Sequence, residues 1–127
     1  MINDLSVQIH ENNKAKGFYD GENNIPTILC LIHSEVSEAL EADRKGRYAD
    51  NHIIKAMEAG NCTWDISKVA FSFWFEKYIK NTFEDELADI MIRVMDLAAY
   101  KGIDLEFHIR HKMEYNKGRE HKHGKAY

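Results

Sequence analysis

Thr82-Phe83-Glu84-Asp85-Glu86-Leu87-Ala88-Asp89-Ile90-Met91-Ile92-Arg93-Val94-Met95-Asp96-Leu97-Ala98-Ala99-Tyr100 reads as one amphipathic helix. At roughly 100° per residue, Leu87, Ile90, Met91, Val94, Met95, Leu97 and Ala98 gather on one side, and Glu86, Asp89, Arg93 and Asp96 on a narrow neighbouring arc. Thr82 with Asp85 three residues on has the form of a capping box, and Lys101-Gly102 ends the helix. Glu86 and Asp89 are neighbours one turn apart. Like charges so placed repel unless something positive stands between them. Arg93 and Asp96 are expected to pair with each other and orient Asp89.

A second carboxylate pair lies upstream. A helix is predicted from near Pro26, a good first-turn residue, to Lys45-Gly46, a good stop. Ile28, Leu29, Ile32, Val36, Ala39 and Leu40 form its apolar face, with Leu31 and Ala42 at the other edge. Glu35 falls inside that face and Glu38 at its border, whereas Glu41 lies on the polar side with Ser34 and Ser37. A charge on a buried face is costly unless paired or metal-bound. Glu35 and Glu38 are therefore anomalous, and Glu41 is not.

The rest of the chain also favours helices. Asn3 or Asp4 is expected to cap a first helix that runs to about Lys16 and stops at Gly17; Phe18 and Tyr19 in the following loop either anchor it or stack on a ligand ring. Ala49 to Ala59 fits a short helix, followed by a turn at Gly60-Asn61-Cys62. Phe71-Ser72-Phe73-Trp74-Phe75-Glu76 alternates like a strand, yet Val69 to Ile79 is long enough for a helix, so both remain open. Asp104 caps a last helix to about Gly118, with Leu105, Ile109 and Met113 facing in and Lys112, Asn116 and Arg119 on the same arc. His33, His108 and His111 read as surface or packing residues. The only Glu-x-x-His is Glu120 to His123, which argues against a carboxylate di-iron bundle.

Composition narrows the function classes. The 127 residues form a single domain, with one Pro and a net charge of −4. That charge is uneven: from Lys101 on there are seven Lys and Arg against four Asp and Glu, leaving −7 on the first hundred residues. A duplex nucleic-acid binder would need a basic stripe over much of one face, so no nucleic-acid partner is expected. Cys30 and Cys62 lack a disulfide or metal framework, the opening Met-Ile-Asn-Asp-Leu-Ser is no signal pattern, and no apolar run would span a bilayer. The expectation is a soluble, cytoplasmic protein without a membrane partner.

If the two acidic helices pack antiparallel, Glu35, Glu38, Glu86 and Asp89 meet between them. All-oxygen ligation suits a hard cation, and Mg²⁺ held by a few carboxylates takes substrate phosphates as further ligands. Lys112, Asn116 and Arg119 would hold the remainder of a polyphosphate. Arrangements of this kind serve phosphoryl chemistry.

Leu31-Ile32-His33-Ser34-Glu35-Val36-Ser37-Glu38-Ala39-Leu40, followed by Glu84-Asp85-Glu86-Leu87-Ala88-Asp89-Ile90, resembles the E-x-x-E and E-x-x-D motifs of MazG-like proteins, which are all-α nucleoside triphosphate pyrophosphohydrolases. Lys112 to Arg119, then His123-Gly124-Lys125, is similar to that family's K-x-x-x-N-x-x-R ending. The resemblance covers about three quarters of the chain and keeps the motif order. It implies a four- to five-helix bundle completed by homodimer or homotetramer formation. It also implies Mg²⁺ dependence, with Mn²⁺ as a substitute, and cleavage of a (deoxy)nucleoside triphosphate to the monophosphate and pyrophosphate, a nucleotide-pool house-cleaning reaction. Glu35, Glu38, Glu86 and Asp89 become the metal-binding catalytic residues, and Lys112, Asn116, Arg119 and Lys125 the substrate contacts. Two departures stand out: Ser34 occupies a position where some members carry another Glu, which leaves the general base open, and the aromatic-rich insertion at about 47–81 is longer than in the smallest members. Phe18, Tyr19, Trp64 and Trp74 are unranked candidates for stacking on the base. The alternatives are a non-catalytic helical oligomer with interhelical ion pairs or a structural cation, and the same chemistry on another nucleotide such as phosphoribosyl-ATP.

Overall fold

A computed structural model describes residues 1–50, 52–55 and 68–120, and every regular element among them is helical. The helices are α1 (Ile2–Ala15), α2 (Ile25–Arg44), α3 (Lys68–Tyr78), α4 (Phe83–Tyr100) and α5 (Leu105–Lys117). A further short helical stretch covers 52–55. The predicted 49–59 helix and 60–62 turn otherwise lie outside the described residues, as do Trp64 and Lys125. Two compact units emerge: one joins Met1–Asn23 to Ile92–Tyr127, the other is Asn24–Met91. Helix α4 contributes its first half to the second unit and its remainder to the first.

In the Asn24–Met91 unit, α2 begins where expected. Asn24 accepts a hydrogen bond from Thr27 N at 2.9 Å, and Pro26 sits in the first turn, where its missing N–H costs nothing. Gly46, at φ +63°, lets the chain turn back so that Arg47 N reaches Ala42 O. The inward stripe of α2 differs from the predicted one: Glu35, Ala39 and Ala42 are buried, at i, i+4 and i+7, while Leu29, Val36 and Leu40 are about half exposed. Ala39 was expected on the apolar face and Ala42 at its edge, together with these larger side chains. Instead the small alanines are the ones fully enclosed, which carries Glu35 inward with them.

Helix α4 starts on the predicted cap. Thr82 Oγ1 accepts from Asp85 N, and Asp85 reaches back to Asn81 N at 2.8 Å, holding Asn81 at φ +60°. The segment after α2 is fastened to this start: Phe83 N donates to Arg47 O, Ala49 N donates to Glu84 Oε2 at 2.8 Å, and the Tyr48 and Phe83 rings pack at 5.6 Å. The end of α2 and the beginning of α4 are thereby held together. The ambiguous aromatic run is helical: Phe71 packs on Phe75 and Trp74 on Tyr78, both i,i+4 pairs. Of the alternating positions, Phe71 and Phe75 share one helical face while Phe73 falls on another and is 60% exposed.

In the other unit α1 packs on α5, and the two helices cap one another. Asn3 Oδ1 accepts from Glu106 N, and Glu106 Oε2 accepts from Ile2 N, both at about 3.1–3.2 Å. Asn3 therefore serves the start of α5 rather than its own helix, a correction to the predicted cap, and α1 begins at Ile2. Asp104 caps α5 as expected, accepting from Phe107 N at 2.9 Å. Gly17, at φ +83°, ends α1.

Candidate metal centre

Glu35 on α2 meets Glu86 and Asp89 on α4, one carboxylate oxygen of each lying within 4.8 Å of the others. Glu35 is 7% and Glu86 4% exposed, and Asp89 is half-buried. Local structure puts them there. Glu35 shares the inward stripe of Ala39 and Ala42, and Glu86 lies one turn past the buried Thr82 cap. The clamp between Arg47–Ala49 and Phe83–Glu84 brings the two helices to the same place. Glu38 is exposed and stands outside the trio.

The electrostatics match the geometry. Burial, followed by the charges of Glu38, Asp85, Asp89 and Glu35, pushes the Glu86 carboxyl above the usual range. Glu38 is thus the foremost of the charges acting on Glu86, although it is not among the three converging oxygens. An oxygen-only donor set of buried and half-buried carboxylates fits a hard divalent cation. Such an ion would compete with a proton for Glu86.

The sign of the pH dependence follows. A carboxyl raised in the folded state stabilises the cation-free protein below its unfolded value, and that contribution is lost as pH rises through the folded one. Cations compete with the proton, so their binding tightens over the same window. We expect the rise in Tm on adding millimolar MgCl₂ to be several-fold larger at pH 8 than at pH 5 in a thermal-shift titration. A magnesium effect equal at both pH values would contradict this linkage.

The predicted substrate contacts lie in the other unit. Lys112 and Arg119 are exposed rather than inward, and only Asn116 of that arc is half-buried; Met113, predicted to face in, is 60% exposed. Lys112 Nζ sits 5.0 Å and Arg119 Cζ 5.8 Å from the Tyr115 ring centroid.

Asp96 is also placed differently from its predicted role beside Arg93. Its two oxygens take His10 Nδ1 at 2.7 Å and Asn13 Nδ2 at 2.8 Å, and the Tyr19 hydroxyl bonds it as well. Tyr19 packs edge-on against His10 at 4.6 Å and against Tyr100 at 5.1 Å. Burial and then Asp96 push the Tyr19 phenol well above its ordinary value, so it stays a donor. Of the two loop aromatics, Tyr19 is therefore an anchor, and Phe18 is 67% exposed. Sequence reasoning missed His10 and Asn13; their i,i+3 spacing with Ser6 on one face of α1 was the available signal.

No family model, curated protein or solved structure matches the chain. Among the described residues no helix is long and apolar enough to cross a membrane.

Proposed function

We propose that the protein is a Mg²⁺-dependent nucleoside triphosphate pyrophosphohydrolase. The observation that carries this reading is the convergence of Glu35, Glu86 and Asp89 from two helices, two of the three being buried. Bringing two buried carboxylates and a half-buried one within reach of one another costs stability through burial and mutual repulsion, and binding a cation there would offset that cost. The motif resemblance supplies the reaction class.

In that reaction a water oxygen bonds to the α-phosphorus, the bond from that phosphorus to the bridging oxygen breaks, and pyrophosphate leaves with the electron pair. The bound cation would neutralise phosphate charge and align the triphosphate. Glu35, Glu86 and Asp89 would hold it. Glu38, exposed beside them, adds negative charge and is the fourth candidate ligand. Lys112, Asn116 and Arg119 are the candidates for the anionic end of the substrate, with Lys125 beyond the described residues. A homo-oligomeric bundle is part of this reading. Leu29, Val36 and Leu40 on α2, and Leu87 and Met91 on α4, are between 44% and 51% exposed, which suits contact with a second copy.

The test is a panel of (deoxy)nucleoside triphosphates and phosphoribosyl-ATP with Mg²⁺ or Mn²⁺, scored for monophosphate and pyrophosphate. Orthophosphate as the product would overturn the reaction. The same exposed apolar residues favour a second reading, a non-catalytic helical oligomer holding a structural cation. It predicts no turnover of any nucleotide in the panel.

A further inference from the structure

We infer that Glu84 is a positioning residue for the carboxylate centre, tying the chain after α2 to the start of α4 so that Glu35 and Glu86 stay within reach of one ion. Glu84 Oε2 accepts from Ala49 N at 2.8 Å, across 35 residues of chain. Ala49 is buried, and an amide so placed needs an acceptor from the protein. Beside it Phe83 N donates to Arg47 O at 2.8 Å, and the Tyr48 ring packs on Phe83. Residues 47 to 49 are thus held against the first turn of α4 by a backbone bond, a ring contact and the Glu84 carboxylate. Both ends of this tie lead to the centre. On one side Gly46 turns the chain and Arg47 N reaches Ala42 O, and Ala42 is fully buried on the stripe that carries Ala39 and Glu35. On the other, Glu86 lies two residues past Glu84 on the same helix. A slip at Ala49 therefore moves Glu35 against Glu86, and a cation site needs its ligands held to within about 0.5 Å.

Two observations make the reach of Glu84, and not its charge, the property that matters. Glu84 is exposed, so its charge is screened by water. The foremost charges acting on the Glu86 carboxyl are those of Glu38, Asp85, Asp89 and Glu35, and Glu84 is not among them, although it stands only two positions away. An amide oxygen at the same reach would serve Ala49 N as well. A carboxylate one methylene shorter would keep the charge and fall short of the amide.

This inference rests on reading Glu35, Glu86 and Asp89 as a cation centre, and it concerns ion binding instead of turnover. Mn²⁺ is titrated into the full chain without nucleotide, and the free ion is counted by electron paramagnetic resonance. Wild type is compared with Glu84→Gln, Glu84→Asp, Glu84→Ala and Glu86→Gln, and urea unfolding is recorded for each. Glu84→Asp and Glu84→Ala should weaken Mn²⁺ binding about tenfold, the lower end of what losing a support behind a metal ligand does. Glu84→Gln should bind within about twofold of wild type. Glu84→Gln and Glu84→Asp both keep a polar side chain at an exposed first-turn position, so their comparison decides the matter even if Glu84→Ala does not fold. A lower urea midpoint in Glu84→Asp with unchanged Mn²⁺ affinity would make the residue structural only and overturns the inference. Equal losses in Glu84→Gln and Glu84→Asp would make charge the cause and overturn it too. If Glu86→Gln binds Mn²⁺ like wild type, the centre itself falls and this inference with it. If Glu86→Gln loses the ion while Glu84→Asp keeps it, the centre stands and only the role of Glu84 falls.

Discussion

Glu86→Gln should abolish nucleotide hydrolysis and at the same time make the cation-free protein more stable. Glu86 is 4% exposed and shares its site with Glu35 and Asp89. An amide there keeps the shape, removes one of the mutually repelling charges, and can donate to the neighbouring carboxylates. We expect a gain on the order of 1 kcal/mol, about 4 °C in Tm for a chain of this size. The price is a centre that no longer neutralises a divalent cation. Turnover should fall by about 10²–10³-fold, the usual scale for losing one strong electrostatic contribution to a phosphoryl or acyl transition state. The magnesium-induced rise in Tm should vanish in the same variant. Scanning calorimetry with and without MgCl₂, beside a pyrophosphate-release assay, reads all three. A variant that is inactive and also less stable would identify Glu86 as a structural partner instead of a cation ligand.

The second large effect is expected at Asp96. It accepts from His10, Asn13 and Tyr19, and its side chain is only 15% exposed. Asp96→Ala leaves three donors on α1 and the following loop without their acceptor, in a site too closed for water to replace it freely. We expect a loss of about 3 kcal/mol, seen as a lower urea midpoint with little change in slope. A double-mutant cycle with His10→Ala should show a coupling of about 1–2 kcal/mol, because the two share one hydrogen bond. If Asp96→Ala couples to Arg93→Ala and not to His10→Ala, the ion pair expected from sequence is the dominant contact after all.

These two carboxylates show what the sequence made readable. Glu35 was found because a charge at an apolar position of a helical wheel is a local anomaly, and Glu86 because Asp89 stands one turn from it on an acidic arc; both signals are visible in one window of residues. The caps at Thr82 and Asp104 and the stops at Gly17 and Gly46 are local too, and all four occur as expected. What failed was non-local. Asp96 was matched to the nearest cation on its own helix, whereas its bonded partners His10 and Asn13 are 86 and 83 residues away. Asn3 looked like a cap for the helix it begins, and only tertiary structure shows it serving Glu106 N. The wheel of α2 placed Glu35 and Ala39 on the inward face, but put Ala42 at its edge, whereas Ala42 is the most enclosed and Leu29, Val36 and Leu40 are about half exposed.

The exchanged caps of α1 and α5 bear on how this chain folds. The bonds from Glu106 N to Asn3 and from Ile2 N to Glu106 join positions 103 and 104 residues apart. Asp104 serves Phe107 N from within its own neighbourhood, but Ile2 N and Glu106 N meet these acceptors only once a loop of almost the whole chain has closed. Closing so long a loop costs entropy before it returns any contact, and folding slows as such distant contacts gain weight. The pair is a clasp that ties the early residues to the helix that carries Lys112, Tyr115 and Asn116.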